Sequence, residues 1–85
     1  MNLASSIHET HDCDLDITGE TCPMTFVRVR LALDRMRQGG VLRVMLRGEE
    51  PRRNVPRAAA EQGHAVLRVE EDAAGVATLW IRKGG

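Results

Sequence analysis

Aromatic side chains are nearly missing from this sequence: Phe26 and Trp80 are the two it has, and it has no tyrosine. No stacking platform for single-stranded nucleic acid can be inferred from so few, so nucleic acid is not an expected partner. Cysteine is scarce too. Cys13 and Cys22 are too few to staple a secreted scaffold, which points to a cytoplasmic protein with reduced thiols. No apolar run approaches the roughly twenty residues that cross a bilayer, so no membrane association is expected. Residues 1–6 lack a charged segment followed by an apolar one, and no secretory signal is visible. At 85 residues the chain makes one domain with a thin core and no deep cleft for a large substrate. A carrier, adaptor or small binding module fits that size better than a self-contained enzyme.

Charge of one sign is missing locally. Residues 1–20 hold five acidic side chains and no lysine or arginine, whereas residues 28–57 hold nine arginines against Asp34, Glu49 and Glu50. One side of the fold is therefore expected to be basic. The first helix expected below contributes Arg28, Arg30, Arg35 and Arg37 to it, and Arg52, Arg53 and Arg57 follow. This reads as a solvated face with some use in docking an acidic protein partner.

Residues 1–12 show no periodicity and read as a flexible leader, with a single domain over residues 13–85. His8 and His11 stand three apart in that leader, but no further ligands accompany them, so no metal site is expected. Residues 13–17 alternate strictly, as in a half-buried strand, and Cys13 shares parity with Leu15 and Ile17, which predicts a core position for it. From Pro23 to Gln38 the spacing of Phe26, Val29, Ala32, Leu33 and Met36 predicts a helix, with Pro23 at its start and Gly39-Gly40 past its end. A strand over 41–47 places Leu42, Val44 and Leu46 on one face. After a turn at 48–51, a second helix runs to Gly63, interrupted or restarted near Pro56. Strands over 64–70 and 76–82 form a hairpin. The order β-α-β-α-β-β, with too few helices to cover two faces, predicts a two-layer α/β sandwich with one sheet face open.

Cys22 falls between the first strand and the first helix, at the N-cap position. Unpaired backbone N–H groups and the helix dipole favour an anion there, so the thiol is expected to ionise readily. Pro23 sets the helix start without wasting an amide donor, and Thr25 places a hydroxyl near the sulfur as a hydrogen-bonding candidate. The competing reading makes Cys22 a structural helix cap in a non-catalytic regulatory or interaction domain.

Leu15-Asp16, Gly19 and Cys22-Pro23 ahead of a helix resemble the TusA/SirA family of small sulfur carriers. The likeness continues through the glycine-bounded end of helix 1, the Pro51/Pro56 region, Gly63-His64-x-Val66 and Arg82-Lys83-Gly84-Gly85. The resemblance implies a fold like the C-terminal domain of translation initiation factor three, a mixed four-stranded sheet carrying two helices on one face. It also implies that Cys22 accepts sulfane sulfur as a persulfide from a cysteine desulfurase or rhodanese-type donor and passes it to an acceptor protein's cysteine. Transfer RNA thiolation, molybdenum-cofactor synthesis and sulfur oxidation are the pathways such a relay would feed. The chain would act with partner enzymes and without a cofactor. The commonest family motif is Cys-Pro-x-Pro; here Thr25 stands in place of the second proline.

Gly84-Gly85 also invites comparison with ubiquitin-like carriers that bear a C-terminal thiocarboxylate. Those open with a hairpin before their first helix, whereas this chain opens with a single strand, so topology sets that reading aside. Met24, Val27 and Leu31 lie off the apolar stripe of helix 1. Trp80 has the opposite parity to Leu79 and Ile81, which places it on the open sheet face with Met45 and Val66. Core or edge packing is the expectation for all of these.

Overall fold

The computed structural model of the chain describes residues 12–21 and 24–84. The expected leader up to residue 11, with His8 and His11, lies outside the described residues. So do Cys22, Pro23 and Gly85.

Six elements follow one another: β1 (Cys13–Asp16), α1 (Met24–Asp34), β2 (Val41–Arg47), α2 (Glu49–Glu61), β3 (Ala65–Glu71) and β4 (Val76–Arg82). The sheet order is β1-β2-β4-β3, with β1 parallel to β2 and the other two pairs antiparallel. This is the expected two-layer α/β fold. Alternation on the two central strands sets the core. Leu42, Val44 and Leu46 of β2 and Ala77, Leu79 and Ile81 of β4 are buried beneath Val29 and Leu33 of α1 and Val55 and Ala59 of α2, with Ile17 beside them.

The helix boundaries differ from the sequence pattern. α1 ends at Asp34 rather than Gln38, because Arg35 and Met36 turn their amides to the carbonyls three residues back, at 3.3 and 3.1 Å, and the last turn tightens. α2 is continuous through Pro56, where an interruption was expected. Proline withholds one hydrogen bond from the Arg52 carbonyl, but Val55 and Ala59 on either side are buried in the core, and packing outweighs the local preference. Gly63 stops α2 as expected. Its φ of 90° lets the His64 amide reach the Ala59 carbonyl at 3.0 Å.

Two side chains depart from their expected surroundings. Cys13 pairs with Leu42 across β1 and β2, so it is on the helix-facing side, yet it is exposed. It stands at the start of an edge strand, where the turn after α1 leaves a hollow of about 180 Å³ lined by Asp12, Cys13, Arg35, Met36, Arg37 and Gly40. Val66 opposes Ile81 and packs on the core, not on the open face with Trp80. An irregularity between Val66 and Arg68 changes the register there, so that Arg68 and not Val66 joins Trp80 on that face. Trp80 is half-buried, with the Arg68 guanidinium 5.8 Å from its ring centre. Nearby, Arg43 bonds Asp14 at 2.7 Å, and Arg68 also pairs with Glu70. The open face is thus dressed with charge rather than left apolar.

Lys83 and Gly84 are tied down. Lys83 exchanges backbone bonds with Gly39 and Gly40, at 2.8 Å each, and the Gly84 amide donates to His64 Nδ1 at 3.1 Å. A Cβ on Gly84 would fall 2.0 Å from the Gly63 carbonyl oxygen, so only glycine fits that approach.

Candidate functional site

The segment around the expected working cysteine is held from both sides. On the strand side, the Ile17 amide extends the parallel pairing to the Met45 carbonyl at 2.8 Å, and the fully buried Ile17 side chain anchors the chain as it leaves the sheet. Asp16 then builds the turn: its Oδ1 accepts from the Thr18 amide at 3.0 Å and from the Thr18 hydroxyl at 2.7 Å. The Glu20 amide returns to the Ile17 carbonyl at 3.0 Å. On the helix side, the Thr21 carbonyl accepts from the amides of Met24 at 2.7 Å and Thr25 at 3.3 Å. Arg28 in α1 bonds Glu20 at 2.9 Å, joining the loop to the helix. Positions 22 and 23 fall between these two anchored ends in the chain.

Of the three site residues expected from sequence, Thr25 is described. Its side chain is fully buried in the first turn of α1, and its Oγ1 has no hydrogen-bond partner among the described residues. A proline at this position would lack the hydroxyl and the Thr25 amide bond to Thr21. The first turn of α1 carries no acidic side chain, so its positive end is not neutralised from within the helix. Cys13 lies beside Arg35–Arg37, past the far end of α1 from Thr21 and Met24. Among the described residues no group of His, Cys, Asp and Glu side chains is placed to hold a metal, and no helix is long and apolar enough to cross a membrane.

Asp16 is the contribution that sequence reasoning missed. It stood in the quoted motif without a role, although an Asp two residues before a Thr, at a strand end, is a turn-forming signal. Both Thr18 donors, the backbone amide first, hold its carboxyl below the ordinary range. A depressed carboxylate stabilises the fold above its unfolded value, near 3.9, and that contribution is lost as pH falls through the folded value. Asp16→Ala is therefore expected to lower the urea midpoint slightly at neutral pH. The difference from wild type should vanish once acid protonates Asp16 in the folded protein. A difference that persists unchanged in acid would remove the carboxylate from this account.

The chain is a small two-layer α/β domain whose sequence places Cys22-Pro23 between β1 and the start of α1. The family model described as Sulfurtransferase TusA matches residues 14–83, and the chain belongs to that family. A putative sulfur carrier protein of Archaeoglobus fulgidus is 47% identical over 57 residues, which are 67% of this chain and 65% of that protein. The sulfur carrier protein TusA of Pseudomonas entomophila is 36% identical over 73 residues, covering 86% of this chain and 90% of that one. Among solved structures, a SirA-like protein from Desulfitobacterium hafniense superposes with a TM-score of 0.75 at 27% identity, covering 87% of this chain and all of that one.

Proposed function

We propose that this protein is a sulfur carrier that holds sulfane sulfur as a persulfide on Cys22. The observation that carries the proposal is the family match over residues 14–83, which spans the Cys22-Pro23 pair. In the reaction, the Cys22 thiolate attacks the outer sulfur of a donor protein's persulfide. The donor S–S bond breaks, its cysteine leaves as thiolate, and the proton stays on the transferred sulfur. Delivery repeats the exchange with an acceptor cysteine attacking the Cys22 persulfide, so no net oxidant or reductant enters. Pro23 would start the helix without an idle amide donor, leaving its positive end to favour the sulfur anion. Thr25 would donate its hydroxyl to that sulfur. The donor is expected to be a cysteine desulfurase or a rhodanese-type protein, the acceptor another protein cysteine, and the compartment the cytoplasm.

Incubation with a cysteine desulfurase and cysteine, or with a rhodanese and thiosulfate, followed by intact-mass measurement, tests this. Wild type should gain one reductant-labile sulfur, Cys13→Ser should gain it equally, and Cys22→Ser should gain none. Loading on Cys22→Ser but not on Cys13→Ser would assign the chemistry to the other cysteine. An unloaded wild type would leave Cys22 as a helix cap.

A further inference from the structure

α1 bears a second apolar line that the fold does not use. Met24, Val27 and Leu31 are 44%, 37% and 50% exposed, where core or edge packing was expected. At 3.6 residues per turn the three fall within an arc of about 60°, on the side of the helix away from buried Val29 and Leu33. They form an exposed ridge along the outer side of the helix. Single exposed apolar residues need no explanation, but three in line along one helix face form a patch.

The charges beside the ridge restrict what can cover it. Arg28 flanks it on one side and Arg30 on the other, and Arg35 follows at the helix end; all three are exposed. Arg28 is bonded to Glu20, while neither Arg30 nor Arg35 takes part in an ion pair among the described residues. Asp34 is the one acidic side chain in α1. A second copy of this chain docking ridge to ridge would bring arginines against arginines, which costs affinity. A surface with carboxylates around an apolar groove would complement both features.

We infer that the Met24–Val27–Leu31 ridge is the docking face for the protein that hands sulfur to Cys22, and that this donor presents an apolar groove rimmed by carboxylates. The inference rests on the sulfur-carrier reading. Sulfur exchange requires the two sulfurs to touch, so the donor's surface must lie over the start of α1. Met24, the first ridge residue, is two positions beyond Cys22 in the chain. A three-residue ridge is too small for a permanent complex and suits a carrier that must leave after each transfer.

The test compares wild type with Val27→Gln/Leu31→Gln and with Arg30→Glu/Arg35→Glu, whose exposed positions should leave the urea midpoint near that of wild type. Sulfur gain is followed by intact mass, with varied carrier concentration, from a cysteine desulfurase with cysteine and from a rhodanese with thiosulfate, both from the same organism. Sodium tetrasulfide serves as a donor that needs no docking. For at least one donor protein, both variants should raise KM about tenfold, as loss of a small interface anchor does. Tetrasulfide loading should stay unchanged. Added salt should raise KM for wild type but not for the charge-reversed variant. Unchanged KM in both variants overturns the docking face, as does a salt-insensitive wild type or a concentration-dependent dimer abolished by the ridge substitutions. Loading of wild type from tetrasulfide but from neither protein overturns the docking face and leaves the carrier reading intact. Loading from no source overturns both.

Discussion

Leu79→Ala is expected to destabilise the fold by about 2–5 kcal/mol, read as a lower urea midpoint with an unchanged slope. Leu79 is fully buried on β4, a central strand, where it opposes Val44 on one side and Val69 on the other. The helices cover it from above through the cluster that includes Val29, Leu33, Val55 and Ala59. The cavity left by alanine would have walls on three strands and two helices, so little could collapse into it. A chain of this length has a total stability of only about 4–13 kcal/mol at the usual density per residue, so one residue here decides whether the fold survives heating. Leu67→Ala is the control: Leu67 is as large and lies on the neighbouring strand, but it is exposed at the register irregularity. That change should move the midpoint by no more than about 0.5 kcal/mol. Equal costs for the two leucines would show that the core is not centred on β4.

The same contrast explains which features the sequence disclosed. β2 and β4 were readable because each has neighbours on both sides and one face under the helices, so burial follows alternation strictly. Parity names a face but not what covers it, and edge positions therefore escaped. Cys13 has the parity of a core residue and faces the helix layer, yet α1 ends short of covering it. Val66 was misplaced because the register irregularity beyond it shifts the side of the strand on which later residues fall, and no residue type announces it. Pro56 was overweighted as a breaker because a local preference cannot register that Val55 and Ala59 are both held by the core. At the candidate site, the motif letters Asp16, Gly19 and Cys22-Pro23 were visible, whereas the work Asp16 does depends on where Thr18 turns back to it.

Thr25→Val is expected to make the protein more stable and a poorer carrier. The Thr25 hydroxyl is buried without a partner among the described residues, and desolvating such a group costs about 1–3 kcal/mol. Valine keeps the branched shape and replaces the hydroxyl with a methyl, so at pH values low enough to keep Cys22 a neutral thiol the urea midpoint should rise by the equivalent of about 1 kcal/mol or more. Retaining a destabilising group in the first turn, three residues after Cys22, is intelligible if its partner is the sulfur itself. A hydroxyl donating to a thiolate or persulfide favours the charged form, so its loss should move the pH profile of Cys22 alkylation to higher pH. At mildly acidic pH, iodoacetamide should then react about threefold to tenfold more slowly with the valine variant, and sulfur loading should slow in parallel. Thr25→Ser, which restores a hydroxyl but not the methyl, should recover most of the reactivity while losing stability through the small cavity it leaves. A purely structural threonine would give a different pattern: a stabilised valine variant with an unmoved pH profile. Paired measurement of midpoint and profile separates the two roles, because a packing role predicts the rise in stability without the shift in the Cys22 profile.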